Sequence, residues 1–135
     1  MMRAEVSLKI DPSKLNAMLE SVDQYLEYAA TDCEKKIKKS ITSGSKSGEQ
    51  YTRNNTIHQA SAPGEAPAND TGKLAGSVKA KKINKNHYQV DIAAEYALML
   101  EYGTSRIQAR PFIIPAFLNV VKRLNRWLLN RRSAL

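Results

Sequence analysis

Cysteine is nearly missing from this chain: Cys33 stands alone, so no disulfide can form within it and a disulfide-stapled scaffold is excluded. Histidine is scarce as well. His58 and His87 lack the i, i+4 spacing and the flanking cysteines or carboxylates of a zinc site, so no metal is expected. No apolar run approaches the roughly 18 residues that cross a bilayer, and no membrane partner is expected. The opening stretch MMRAEVSLKI carries Arg3, Glu5 and Lys9, which interrupt any signal-peptide core, so the expectation is synthesis in the cytoplasm without export. The phosphate loop G-x-x-x-x-G-K-[ST], the nucleophile elbow G-x-S-x-G and the dinucleotide fingerprint G-x-G-x-x-G are all missing, and with them the enzyme and cofactor classes they serve. Asp91, Glu95 and Glu101 remain as acids. Nothing near them supplies a nucleophile or electrophile, so they are taken as surface groups or partners for Arg106 and Arg110, and the chain as no enzyme, with no catalytic residue and no cofactor.

Acidic residues are missing altogether from one region. From Gly103 to the end the chain carries Arg106, Arg110, Lys122, Arg123, Arg126, Arg131 and Arg132 with no Asp or Glu, within a net charge of +8. Such a field attracts nucleic acid, a membrane surface or an acidic protein partner. Lys122, Arg123, Arg126, Arg131 and Arg132 are the candidate contacts. Against a dedicated nucleic-acid binder, no helix-turn-helix, zinc finger, RNP-type sheet or KH loop is recognisable. Phe117 and Trp127 share the basic helix as expected core residues rather than as a stacking row.

A chain of 135 residues fits one domain, 1–135, with one modest core. Val6, Leu8 and Ile10 alternate with Glu5, Ser7 and Lys9, a period of two that predicts a half-buried strand. Asp11 then offers an N-cap acceptor and Pro12 a first helical residue. From Leu15 through Met18, Leu19, Val22, Tyr25, Leu26, Ala29, Cys33 and Ile37 the apolar spacing predicts a long amphipathic helix ending between Ser40 and Gly44. Cys33 falls on its apolar face, where a buried thiol behaves as a small hydrophobe. Lys35, Lys36, Lys38 and Lys39 suit the negative end of the helix dipole.

Between Ser43 and Asp70 large apolar residues are confined to Tyr51 and Ile57, so this segment is expected to be a flexible loop inside the domain, ordered against a neighbouring subunit. One helical turn around Lys73 to Gly76 follows. Ser77–Ile83 and Tyr88–Ala93 then predict a β-hairpin turning through Asn84–His87, and the first strand would make the sheet three-stranded and antiparallel. The run Tyr96–Tyr102 reads as a short helix or buried strand stopped at Gly103. Pro111 and Pro115 force the last helix to start among them, with Phe117, Val120, Val121, Leu124, Trp127 and Leu128 on its apolar face. Two helices over a small antiparallel sheet, with a long central loop, make an α+β fold.

Two stretches carry a more specific signal. LEYGT, followed closely by ARPFIIPA, and the upstream HQASAPGEAPANDTGKL from His58 to Leu74 together resemble the tail-completion proteins of long-tailed bacteriophages, in the family's order. Before Ser43 the likeness is only one of general character. The resemblance implies a structural virion protein of the neck, made in the bacterial cytoplasm, which joins tail to head as a ring, six-fold in the virion. Its implied partners are copies of itself, the tail terminator, the head-closure or connector proteins and, non-specifically, DNA in the channel. A closed ring needs two different patches on each subunit. One is assigned to Ser61, Pro63, Gly64, Pro67 and Asp70. The other is assigned to Glu101, Tyr102, Gly103 and Thr104 with Arg110, Pro111 and Phe112, where Glu101 and Arg110 are expected to pair. The alternative function is that of a small basic nucleic-acid-binding protein.

Overall fold

A computed structural model describes residues 2–44, 46–69 and 71–131. The elements are α1 (Pro12–Thr42), β1 (Gln50–Arg53), β2 (Thr56–Gln59), α2 (Lys73–Gly76), β3 (Val78–Asn84), β4 (His87–Ile92), α3 (Ala97–Tyr102) and α4 (Ile113–Arg131). The fold is α+β, with a long N-terminal helix, a C-terminal helix and antiparallel strand pairs.

Helix α1 is the spine. The Asp11 carboxylate accepts the Ser13 amide at 2.9 Å, Pro12 occupies the first turn, and the far end closes with the Ser43 amide on the Lys39 carbonyl. Ala29, Cys33, Ile37 and Ile41 form one buried stripe at four-residue steps. On its flank Asp32 pairs with Lys36 at 3.1 Å and Glu34 with Lys38 at 2.6 Å, each acid one turn before its base, the favourable order in a helix. Helix α4 runs antiparallel along α1: Arg123 lies 3.4 Å from Asp32, and Trp127 stacks on Tyr25 with ring centroids 4.5 Å apart. The β3–β4 hairpin covers another side. Its turn is held by Asp23, which accepts the Asn86 amide at 2.7 Å, while Lys85 reaches Glu20. The Asn86 amide is the leading reason that the Asp23 carboxyl titrates below its usual range. Phe112, Ile37, Ile41 and Val78 are the fully buried side chains where the helices, the hairpin and the α3–α4 corner meet.

Three expectations are corrected. Residues Glu5–Ile10 form no strand, and Val6 and Leu8 are 99% and 83% exposed. The hairpin turn sits beside Glu20 and Asp23, so the first turns of α1 project past it, and the arm that precedes them pairs with neither hairpin strand. The sheet is therefore two separate pairs, β1–β2 and β3–β4, instead of three joined strands. The span Ser43–Asp70, expected as a loop, also holds a strand pair, because β1 and β2 meet in it through Asn54 and Asn55, whose φ angles of 51° and 60° are those of a type I′ turn. Tyr51 and His58 stack across that pair at 5.4 Å. Finally, Phe117 is no core residue. It is 56% exposed, because the buried stripe of α4 passes through Ala116 and Val120 and turns Phe117 away.

The contrast gives a direct test. Ile41→Ala should lower unfolding free energy by about 2–5 kcal/mol, whereas Phe117→Ala should stay within about 0.5 kcal/mol of wild type. Urea denaturation measures both, and equal losses would contradict this placement of the core.

Candidate functional site

The residues singled out in the sequence converge on the corner between α3 and α4. Helix α3 ends at Gly103, whose φ of 75° and ψ of 174° few other residues tolerate. A Cβ there would meet the Ala109 nitrogen and the Ile107 oxygen at 2.8 Å, both backbone atoms with no freedom to move aside. The loop beyond is tied tightly. Thr104 donates its amide to the Ile107 carbonyl at 2.7 Å, and its hydroxyl accepts the amides of Arg106 and Ile107. The Arg110 amide then returns to the Leu100 carbonyl at 2.7 Å, which closes the corner.

Glu101 lies at the centre of it, 4% exposed. Its carboxylate accepts the amides of Phe112, Ile113 and Ile114 at 2.8, 2.9 and 2.8 Å. These are the first donors of α4, which have no partner inside the helix, and the next position is Pro115, which has no N–H to satisfy. One side chain therefore accounts for the whole N-terminal turn. A negative charge at this end also opposes the positive pole of the helix dipole.

The expected pairing of Glu101 with Arg110 is corrected. Both Glu101 oxygens are taken by helix amides, and Arg110, kept extended by Pro111, sends its guanidinium the other way, where Nη2 donates to the Ser61 carbonyl at 3.2 Å. Arg110 Nε is buried without a partner among the described residues. The Gly64 amide adds a second bridge to the Ala109 carbonyl at 3.0 Å. Segments 45 to 49 residues apart thus form one face, with a cleft of mixed polarity of about 390 Å³ between them bordered by Ser61, Pro67, Lys73, Tyr96 and Arg110. The two patches assigned to the ring stand joined, not apart.

Within that face the named residues divide. Pro63, Gly64, Tyr102 and Thr104 are exposed, Gly103, Arg110 and Pro111 are half-buried, and Ser61, Pro67, Glu101 and Phe112 are buried and serve the fold. Asp70 and Arg132 lie outside the described residues. Lys122, Arg123, Arg126 and Arg131 line the outside of α4, yet Arg123 reaches Asp32 and Arg131 lies over the Trp127 ring at 5.0 Å. Lys46 and Glu65 had no signal in the sequence reading. Lys46 donates to the carbonyls of Ser40 and Ala66 at 2.8 and 2.9 Å, and burial pushes its pKa down. Glu65 accepts the Ser47 hydroxyl and the amides of Ala62 and Ser47, bonds that hold its carboxyl down at about 2. Contacts of this kind join residues far apart in the chain, and spacing alone does not disclose them.

Among the described residues no three His, Cys, Asp or Glu side chains could hold a metal ion, and no helix is long and apolar enough to cross a membrane. Comparison with family models, curated proteins and solved structures returns no match.

Two outcomes follow from the carboxylates. Glu101→Ala strands three helix amides and should cost about 2–4 kcal/mol in thermal unfolding, with Glu101→Gln losing less because it keeps one acceptor oxygen. No loss in either variant would remove the capping role. Glu65 has a folded pKa below its ordinary 4.5, so the stability it contributes is present above that pH and is lost as pH falls toward about 2. The stability gap between wild type and Glu65→Gln should therefore be open at neutral pH and close over that window, and a gap independent of pH would contradict it.

Proposed function

We propose that this chain is a structural virion protein of a tailed phage or prophage, a tail-completion component that closes the head-proximal end of the tail and joins it to the head as part of a ring. The observation that supports the reading is the meeting of the two segments carrying the resemblance. Arg110, of the second segment, holds the Ser61 carbonyl of the first, and Gly64 holds Ala109. Two stretches that resemble one family in order and spacing are thus also one surface. That surface has the character of a docking face: Tyr102, Leu98 and Met99 are exposed on α3, and Pro63 and Gly64 are exposed on the segment that Gly64 ties to Ala109. Its work is recognition. The tail terminator and the head-closure or connector proteins are the partners this reading assigns to it, in the neck of the virion.

The alternative reading, nucleic-acid binding, rests on the basic face of α4. Part of that charge is already engaged within the chain, through the Arg123–Asp32 and Arg131–Trp127 contacts. Lys122 and Arg126 remain outward, suited to passing DNA or to an acidic neighbour in a ring.

Lysates lacking the protein should contain filled heads and separate tails under the electron microscope, and joined particles there would refute the proposal. Arg110→Ala should fold and fail to restore joining, since it loses the tie to Ser61 but leaves the Glu101 cap untouched. Phe112→Ala should fail for a different reason, a loss of about 3–5 kcal/mol from the core. An Arg110→Ala protein that is folded and fully active would exclude the corner as the docking element.

A further inference from the structure

An apolar groove of about 380 Å³ runs between α1, β4 and α4. Its walls include Leu26 and Ala30 from α1 and Phe117 and Val121 from α4, and the consecutive residues Tyr88, Gln89 and Val90 border it, as they do when a strand offers its edge. The two edges of the hairpin are treated differently. On β3 the outward amide of Ala80 is taken by Glu34 of α1 at 2.7 Å. Its cross-strand partner is Val90, and in antiparallel pairing both members of such a pair turn their backbone groups outward, so Val90 presents its N–H and C=O on the other side. Among the described residues no further strand pairs with β4 there. An open edge beside an apolar trough is a place for an added strand.

The chain also has a segment of strand pattern that pairs with nothing among the described residues. Val6, Leu8 and Ile10 alternate with Glu5, Ser7 and Lys9, the pattern of a strand with one face to bury, and Val6 and Leu8 are almost wholly exposed. This arm cannot fill its own groove. Along α1 the rise from Pro12 to Leu26, where the groove begins, is about 21 Å, and to Ile37 about 38 Å. Fully extended and doubled back, the arm carries Ile10 about 7 Å from Pro12, Leu8 about 14 Å and Val6 about 21 Å. Only Val6 touches the near end. A groove that matches the arm in character, and that the arm of the same molecule cannot enter, is matched by the arm of a second copy.

We propose that residues 5–10 of one subunit add as a strand to the β4 edge of the next, with Val6, Leu8 and Ile10 seated in the groove between α1 and α4. The contact is head-to-tail, arm to groove, so it propagates from subunit to subunit and closes when the rotation permits. It stands on the arm and the groove and does not depend on the virion reading.

Sedimentation velocity of the purified full chain over a concentration series tests it. Wild type should self-associate, and Leu8→Asp and Phe117→Asp should each weaken association roughly tenfold or more while keeping the wild-type circular dichroism and melting curve, since both positions are exposed. Mixed together, the two variants should form a one-to-one dimer that grows no further. The Phe117→Asp chain supplies an intact arm and the Leu8→Asp chain an intact groove. If Phe117→Asp does not fold, deletion of residues 2–10 replaces the mixture, and the shortened chain should be a folded monomer. A wild type that remains monomeric throughout, a Leu8→Asp chain that associates as tightly as wild type, or a mixture no larger than its parts would overturn the inference. The virion reading falls to a different result, joined particles in lysates without the protein, so the two failures are distinguishable.

Discussion

The Glu101 carboxylate on the first amides of α4 is the contact on which the rest of this structure hangs. It fixes where α4 begins and in which direction it leaves α3. With that direction set, Ala116 and Val120 meet α1, Trp127 reaches Tyr25, and Phe112 enters the core. Such a cap is demanding. A buried carboxylate with two idle oxygens would be expensive, so the arrangement holds only while the backbone of residues 112–114 stays in place around it.

The same device recurs through the chain. Asp11 takes an amide at the start of α1, Asp23 the amide of the β3–β4 turn, Glu34 the edge amide of β3, and Glu65 two amides of the central segment. The chain has 13 acidic residues against 21 Lys and Arg, and several of those acids are committed to backbone. The surplus of positive charge is set by composition, and it shows most on α4, which carries no Asp or Glu. Those carboxylates whose pKa is depressed, Asp23, Glu34, Glu65 and Asp91, all withdraw stability as pH falls.

Edge protection by these acids is uneven across the hairpin. Glu34 occupies the outward amide of β3, whereas α4 stands off from β4 and leaves a trough beside it. In a chain with an unpaired alternating arm at its start, an unprotected edge is a position for pairing. The corner at the start of α4 offers a second surface of different make, mixed in polarity and proline-rich, so the subunit has two unlike surfaces.

How much of this was legible in the residues depends on how far apart the interacting groups are. The limits of α1, the stop at Gly103, the start of α4 among prolines and the β3–β4 hairpin are set by neighbours a few residues away, and the sequence by itself determined them. The burial of Cys33 belongs here as well, since a stripe repeating every four residues has one inward side. The Asn54–Asn55 turn was equally local, but it was hidden by the polar composition around it. The tertiary structure alone decided what those elements do to one another. Periodicity marked Glu5–Ile10 as a strand, but a strand needs a neighbour, and only the tertiary structure shows that neither hairpin strand pairs with it. Charge and nearness paired Glu101 with Arg110, but three unsatisfied helix amides outcompete one cation, and Arg110 went to Ser61 instead. Local spacing fixes which way a side chain leaves the backbone, and long-range packing fixes what is waiting there.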